Sequence, residues 1–350
     1  MYMNYQERIE DMMEDEREEF IQKMKTKKEH HSHHESCPFM KFFEKKISKP
    51  LVDEDHDSPF YALEADDVSS TWDHTKPEGV PTAVFHGLGD ACIYPGMKSF
   101  TQELSEGTNA PAHCIEVGLP TFGEYFNNFE TIADKSCQKI AKDPDFQGEF
   151  NVVGLSQGGL LARYIVEECD MPGTVRNMLS IAGPHMGVDA IPNCSDGVLC
   201  SVLNAAARKL VYLKPVQNWL APAGYFRDVR HMKNYEKDSV FLPALNNEHD
   251  AEGTYSAMRK SRFSDLNGAM LVMFNQDTIV YPKQSSWFQT LDDKAEKVLP
   301  LNATAFYNDD YIGLKSLVEA NKVDFVSIEG NHLQFTDDDV QNTFIPFLNK

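Results

Sequence analysis

The chain has 350 residues, of which 41% are hydrophobic, and a formal net charge of -21 at pH 7. This length and apolar content suffice for one full hydrophobic core with an appendage, since single domains commonly reach about 250 to 300 residues. The acidic charge opposes nucleic-acid binding, which depends on clustered Lys and Arg. No run of about 18 apolar residues is present, so we expect no membrane-spanning segment.

The first 75 residues are predicted to form an acidic, low-complexity extension. Apolar residues near helical spacing between positions 9 and 24 predict a weakly amphipathic helix, either solvated or bound to a partner. Residues 1–28 lack the apolar stretch of about 7 to 15 residues that a secretory signal needs, so none is predicted there. Residues 50–78 are rich in Asp, Ser and Pro, which predicts a linker leading into a folded domain of residues 76–350.

A histidine cluster lies inside this extension. Its members are His30, His31, His33, His34 and Cys37. Neutral imidazole and thiolate are common transition-metal ligands, so metal binding is one interpretation and a flexible tail is the other. Because no second ligand pair at zinc-site spacing follows, the sequence favours the tail and predicts no metal site.

From residue 76 onward, short apolar runs alternate with helical stretches, a pattern typical of parallel strands joined by crossover helices. Four of the runs predict buried strands: residues 82–85, 149–153, 269–274 and 323–328. Open parallel sheets place their active sites at the carboxyl ends of the strands. Polar residues that directly follow these runs are therefore candidates for catalysis.

The second of these strands leads into residues 154–159, Gly-Leu-Ser-Gln-Gly-Gly. The Gly-x-Ser-x-Gly pattern predicts a sharp turn into a helix over residues 159–168, with glycines where a Cβ would collide with neighbouring chain. Such a turn exposes the Ser156 hydroxyl, and the helix dipole favours developing negative charge nearby. A glycine-serine loop without chemistry is the alternative, but the strand-turn-helix context favours a nucleophile.

A serine hydroxyl needs a base to remove its proton and an acid to hold the base's tautomer. Asp277 follows the third predicted strand and His332 follows the fourth. With Ser156 they give the chain order serine, acid, histidine that α/β-hydrolases use. Asp277 could instead cap a turn, and His332 could be a packed core histidine.

The oxyanion hole is expected from two backbone N–H groups, those of Gln157 and of Leu88, which lies in the glycine-rich turn of residues 86–90. Together these features predict an α/β-hydrolase, with a mostly parallel central sheet flanked by helices. Between the strands near residues 183 and 269, residues 190–265 form a predicted apolar, helical insertion. Insertions at this place build lids, so its apolar side chains could line an acyl groove or belong to the ordinary core.

Several segments in the same order carry a family resemblance. They are residues 86–90 (HGLGD), 154–159 (GLSQGG), 183–188 (GPHMGV), 275–280 (NQDTIV) and 330–334 (GNHLQ). From about residue 81 to 348 the chain resembles the lysosomal palmitoyl-protein thioesterases. The resemblance implies hydrolysis of the thioester between a long fatty acyl chain, such as palmitate, and protein cysteine, through an acyl-serine intermediate. It implies S-acylated proteins and fatty acyl thioesters as partners and no metal or organic cofactor.

The resemblance also bears on the seven cysteines. It implies the disulfides Cys137–Cys169 and Cys194–Cys200. Cys92 matches a cysteine whose partner in the family is the adjacent cysteine, but this chain has Ile93 at that adjacent position. Pairing of Cys92 with Cys114 and a free Cys92 thiol therefore both stay open.

The implied location is the lysosome or the secretory pathway. Two N-glycosylation patterns, at Asn193 and Asn302, agree with that route, although three-residue patterns are weakly specific. Three alternatives remain: a cytosolic-type acyl-protein thioesterase, a general lipase or carboxylesterase, and a non-catalytic module that binds acylated proteins. Intact disulfides would exclude the first and a preference for oxygen esters would mark the second. The third is opposed by the three candidate catalytic side chains in the order serine, acid, histidine, because a pure binding module needs none of them.

Overall fold

The computed structural model describes residues 79–117, 128–194, 198–248 and 254–350. The predicted N-terminal extension, with its helix, its histidine cluster and its linker, lies outside the described residues and stays a prediction. Within the described ranges, no helix combines the length and apolar character needed to cross a membrane.

The centre of the fold is a six-stranded parallel sheet. The strands described are β1 (Thr82–Phe85), β2 (Ala112–Cys114), β3 (Glu149–Leu155), β4 (Thr174–Ile181), β5 (Gly268–Phe274), β6 (Thr290–Leu291), β7 (Val298–Leu299) and β8 (Val323–Ile328). The sheet order is β2-β1-β3-β4-β5-β8, and β6 pairs with β7 in a separate antiparallel hairpin. All four predicted strands are present, because continuous apolar runs suit parallel strands covered on both faces.

Helices connect and cover these strands. The α-helices are α1 (Pro95–Thr108), α2 (Phe129–Ile140), α3 (Gln157–Glu167), α4 (Val198–Leu210), α5 (Lys214–Trp219), α6 (Met232–Asp238), α7 (Leu242–Leu245), α8 (Thr254–Ser264), α9 (Ala305–Asn308), α10 (Leu314–Glu319), α11 (Asp337–Asp339) and α12 (Ile345–Leu348). Turns of 3-10 helix cover Pro144–Phe146, Ala221–Tyr225, Val229–His231, Lys283–Trp287 and Leu301–Ala303, and a π-helical turn covers Val340–Phe344.

Two apolar layers bury the two faces of the sheet. Alternate side chains of a strand point to opposite faces, so Ala83 and Phe85 join the layer that contains α2 and α3. Val84 points the other way, into the layer formed with α1 and the C-terminal helices. The predicted parallel sheet flanked by helices is thus confirmed.

The predicted insertion lies between β4 and β5 and contains α4 to α8. Part of its apolar surface is ordinary core, since Tyr225 and Phe241 are buried in the layer of α2 and α3. Another part faces outward, because Val202, Leu210 and Leu213 are 61%, 44% and 48% exposed. The insertion therefore both closes the core and presents apolar side chains at its surface.

Three disulfides join cysteines among the described residues. Cys137 in α2 is bonded to Cys169, just beyond α3, and Cys194 is bonded to Cys200 at the start of α4. Cys92, whose partner the sequence left open, is bonded to Cys114 at the end of β2. The Cα–Cα distances of 5.6, 5.6 and 5.0 Å are ordinary for disulfides.

Candidate active site

Ser156 occupies the sharp turn between β3 and α3. Its backbone has φ 52° and ψ -123°, a conformation that side-chain-bearing residues rarely adopt, and strain of this kind clusters at functional sites. The turn is tight because a Cβ on Gly154 would lie 2.2 Å from the carbonyl oxygen of Gly158. A Cβ on Gly158 would lie 2.3 Å from the carbonyl oxygen of Phe85 in β1. The predicted need for glycine at these positions therefore has a steric cause.

A hydrogen-bonded chain joins the three side chains predicted for catalysis. His332 Nε2 lies 2.8 Å from Ser156 Oγ, and His332 Nδ1 lies 2.7 Å from Asp277 Oδ2. Because a carboxylate only accepts, Nδ1 carries the hydrogen and Nε2 is left to accept from the serine hydroxyl. The Asp277 side chain is 1% exposed and that of His332 is 12% exposed, so this row of hydrogen bonds is more open to solvent towards Ser156 than towards Asp277.

Asp277 is held by its other carboxylate oxygen. Oδ1 accepts hydrogen bonds from the backbone N–H groups of Ile279 at 2.8 Å and Val280 at 3.0 Å. The turn-capping alternative for Asp277 is thus also observed, and it is compatible with the contact to His332 because each function uses a different oxygen. A carboxylate fixed in this way gives the imidazole a fixed partner.

The loops after β5 and β8 are fastened to each other. The backbone N–H of Gln276 donates to the Gly330 carbonyl at 2.9 Å. Asn331 Oδ1 accepts from the backbone N–H of Thr278 at 3.1 Å and from that of His332 at 2.7 Å. Asn331 bridges the two loops, a role that the sequence motifs contain but that only spatial proximity reveals.

The predicted oxyanion donors lie in two segments next to the serine. Gln157 begins α3, and the first N–H groups of a helix have no acceptor within it. The turn containing Leu88 packs on Ser156, since a Cβ on Gly87 would lie 3.2 Å from the Ser156 Cβ. The Gln157 side chain faces the insertion instead, where its Oε1 accepts from the Tyr225 hydroxyl at 3.0 Å.

A buried arginine links the helix after the serine to the insertion. Arg163 is 0% exposed, and its guanidinium donates to Glu167 Oε1 at 2.5 Å, to Asn246 Oδ1 at 2.8 Å and to the Leu245 carbonyl at 2.8 Å. Burial raises the pKa of Glu167 to about 7, although the Arg163 charge and hydrogen bond act to lower it. Arg163 therefore joins α3 to α7 through its hydrogen bonds to Leu245 and Asn246, while its buried ion pair with Glu167 lies within α3.

His185, by contrast with His332, is fully buried. Its ring stacks on Phe288 with centroids 4.5 Å apart, and its Nε2 lies 2.8 Å from Ser180 Oγ. Burial, and then the charge of Arg163, place the pKa of His185 well below its usual value. A neutral, packed ring without contact to Ser156 serves structure, whereas His332 is the histidine beside the serine.

Among the described residues, two groups of side chains have the composition of metal ligands. The first contains His86, Cys92 and Glu116, but the Cys92 sulfur is bonded to Cys114 and offers no thiolate. The second contains His113, Asp143 and Asp145 near the edge strand β2, where His113 Nε2 hydrogen-bonds Asp145 at 2.8 Å. Neither group contacts Ser156 through a described bond, and the absence of a metal or cofactor stays a prediction.

The parallel sheet, the strained serine after β3, and the Asp277–His332–Ser156 chain at the ends of β5, β8 and β3 define the class of α/β-hydrolases. The sequence profile described as palmitoyl protein thioesterase matches residues 81–332. The chain belongs to this family.

Known proteins resemble the chain to different degrees. Palmitoyl-protein thioesterase 1 of Caenorhabditis elegans is 33% identical over 265 residues, which is 73% of this chain and 87% of that protein. A lysosomal thioesterase of Xenopus laevis is 29% identical over 56% of this chain and 66% of its own length. The crystal structure of a Paleococcus ferrophilus monoacylglycerol lipase covers 77% of this chain and 93% of its own, with 14% identity and a TM-score of 0.43.

Proposed function

We propose that this chain hydrolyses the thioester between a long-chain fatty acyl group, such as palmitate, and a protein cysteine. The observation that carries the proposal is the hydrogen-bonded chain from Asp277 through His332 to Ser156 in a member of the palmitoyl protein thioesterase family. The substrates are S-acylated proteins or peptides and fatty acyl thioesters.

Acylation begins when His332 Nε2 takes the hydroxyl proton of Ser156 and the serine oxygen attacks the thioester carbonyl carbon. The carbonyl oxygen becomes an oxyanion that accepts hydrogen bonds from the backbone N–H groups of Gln157 and Leu88. Each such donor stabilises the transition state by about 3 to 4 kcal/mol. The carbon–sulfur bond then breaks, and the imidazolium of His332 gives its proton to the departing cysteine sulfur.

Deacylation repeats these steps with water. His332 removes a proton from a water molecule, whose oxygen attacks the acyl-serine carbonyl, and the fatty acid leaves as Ser156 regains its proton. Asp277 stabilises the imidazolium in both half-reactions and keeps Nδ1 of His332 protonated. The backbone N–H groups of Ile279 and Val280 hold the Asp277 carboxylate in place for this role. None of these steps requires a metal or an organic cofactor.

The disulfides argue against a cytosolic-type acyl-protein thioesterase. Disulfides persist in oxidising compartments and are rare in the cytosol, and the described chain contains Cys92–Cys114, Cys137–Cys169 and Cys194–Cys200. We therefore favour a lysosomal or secretory location, which the similarity to the lysosomal thioesterase of Xenopus laevis also supports. Asn193 and Asn302, the two candidate glycosylation sites, are exposed. Removal of N-linked sugar should increase gel mobility, and the double variant Asn193→Gln/Asn302→Gln should not shift; an unglycosylated protein from secretory expression would contradict this route.

The test of the activity compares hydrolysis of a palmitoyl-cysteine peptide with that of a short-chain oxygen ester. We expect the wild type to cleave the palmitoyl peptide, and the Ser156→Ala variant to lose that activity while keeping its melting temperature. Activity on the oxygen ester alone would make the chain a general esterase or lipase. Loss of neither activity in Ser156→Ala would remove Ser156 as the nucleophile. A folded wild type without either activity would favour an acyl-binding module.

A further inference from the structure

A buried histidine begins the turn that carries Leu88. His86 is 1% exposed and follows β1 directly. Its Nδ1 lies 3.0 Å from the Gly87 carbonyl oxygen, and its Nε2 lies 3.2 Å from Oε1 of Glu116. Both neighbours are acceptors, so an imidazolium satisfies both of them, whereas a neutral ring satisfies one.

Glu116 holds the other end of the same turn. Its second carboxylate oxygen, Oε2, accepts the backbone N–H of Cys92 at 2.9 Å. Glu116 stands two residues after Cys114, to which Cys92 is disulfide-bonded. One carboxylate therefore contacts the first residue and the last residue of segment 86–92, and Leu88 lies between them.

The Glu116 side chain is only 20% exposed, and hydrogen-bond donors face both of its carboxylate oxygens. Burial acts to raise the pKa of Glu116, but the hydrogen bonds from His86 and from the Cys92 N–H, with the charge of His86, outweigh it. The pKa of Glu116 thus lies below its usual 4.5, so the group stays ionised in mildly acidic solution.

We propose that Glu116 is a positioning residue for the oxyanion hole: by holding both ends of segment 86–92, it fixes the backbone N–H of Leu88 beside Ser156. The inference rests on the proposed function, since it takes Leu88 as a donor to the oxyanion. Contact between this turn and the nucleophile is close, because a Cβ on Gly87 would lie 3.2 Å from the Ser156 Cβ. A displaced turn would therefore move the donor relative to the reacting carbonyl.

The structure offers a control pair close to Glu116 in the chain, at the edge strand β2. His113 of β2 hydrogen-bonds Asp145 at 2.8 Å, a second histidine–carboxylate pair. Asp145 lies in the Pro144–Phe146 turn, and the carboxylates that His113 is described as contacting are those of Asp143 and Asp145. Asp145→Asn removes the same charge as Glu116→Gln, but it leaves the turn beside Ser156 untouched.

The experiment measures four quantities for the wild type, Glu116→Gln and Asp145→Asn: kcat and KM for a short-chain ester and a palmitoyl thioester, inhibition by a long-chain trifluoromethyl ketone, and inhibition by palmitate. The ketone forms an oxyanion with the serine and so reports on the hole, whereas palmitate reports on acyl binding. We expect Glu116→Gln to lower kcat about 10- to 100-fold and to weaken ketone binding similarly. KM, palmitate inhibition and all Asp145→Asn values should stay near wild type.

Equal weakening of the ketone and palmitate, or wild-type kinetics in Glu116→Gln, would overturn the proposal. If Glu116→Gln fails to fold, His86→Gln breaks the contact from the other side and is judged by the same ratio of ketone to palmitate binding. The short-chain ester separates the two claims. A wild type that cleaves only this ester contradicts the thioesterase assignment, while the fall of kcat in Glu116→Gln still tests the position of Leu88.

Discussion

The sheet and the insertion hold their residues in place by different means. Ser156, Asp277 and His332 each follow a strand of one continuous ladder, and the loops that carry Asp277 and His332 are hydrogen-bonded to each other. The insertion has no strand among its described residues and consists of helices and short turns. The sheet thus positions the three side chains of the proposed reaction, whereas helices and short turns form the insertion.

Within the insertion, buried ion pairs take the place of the hydrogen bonds that join strands in the sheet. Asp189, 3% exposed at its side chain, contacts Arg208 at 3.1 Å and Arg230 at 2.8 Å, and Arg227 pairs with Glu248. Burial raises the pKa of Asp189 although both arginines oppose the rise. Removal of one partner from such a pair leaves an unpaired buried charge, so the insertion depends on specific charge partners.

The largest expected effect is on the sheet side. In Asp277→Asn, His332 loses the acceptor that holds its tautomer, so kcat should fall about 10⁴-fold for palmitoyl and short-chain substrates alike. His332→Ala should lose at least as much, because it removes the base itself. Steady-state kinetics with both substrates test this. A loss confined to the long-chain substrate would contradict the proposed mechanism, in which these residues act on the reacting group and not on the acyl tail.

The next effect tests the link between the two regions. Arg163→Met removes the guanidinium that joins α3 to α7 and leaves Glu167 buried without its partner. The free energy of unfolding at pH 7.5 should fall by about 3 to 5 kcal/mol. Denaturant unfolding of this variant and of Arg163→Met/Glu167→Gln provides the check. The double variant should recover part of the loss, and equal stability of the two would show that the charge of Glu167 is irrelevant.

Glu167 also predicts how stability changes with pH. Its pKa is raised from 4.5 to about 7 in the folded chain, so between these values the folded state binds more protons than the unfolded state. Stability from this group is full below pH 4.5 and is lost as pH rises through 7. Wild-type melting temperatures should be higher at pH 5 than at pH 7.5, and Glu167→Gln should flatten the difference. An unchanged slope in the variant would assign the pH dependence to other groups.

The smallest expected effect lies in the insertion and concerns acyl length. Leu203 is half-buried on α4 next to the exposed Val202. If this surface receives the acyl chain, Leu203→Trp should occupy part of that space and lower turnover of the palmitoyl substrate a few-fold relative to the short-chain ester. Met258→Trp, at an exposed position of α8 in the same insertion, is the control. Equal turnover ratios in both variants and the wild type would move the acyl site away from α4.

The residues of the candidate site could be named from the sequence because their signals are local. Strands 82–85 and 323–328 were predicted with the bounds that β1 and β8 have, and the serine turn is encoded within residues 154–159. Strands buried on both faces are continuous apolar runs, and a tight turn requires glycine at fixed offsets. Motif order then brought Asp277 and His332 into consideration before any distance was known.

The contacts of Arg163 and Glu116 could not be predicted in this way. Arg163 bonds to Asn246, 83 residues later, and Glu116 contacts His86, 30 residues earlier. Polar side chains at such separations meet only after the helices and strands have packed, and neither pair has a fixed spacing that a motif could encode. The partner of Cys92 stayed open for the same reason, since two cysteines satisfy a pairing rule only when their Cα atoms are close.

The central claim, that a thioester is cleaved through an acyl-serine, is tested most directly by trapping the intermediate. The wild type is mixed with a palmitoyl thioester, quenched in acid within the first turnover, digested and analysed by mass spectrometry. We predict palmitate bound to the peptide that contains Ser156, and no such adduct in Ser156→Ala. Thioester turnover without an adduct on Ser156, or an adduct on another residue that persists in Ser156→Ala, would contradict the mechanism.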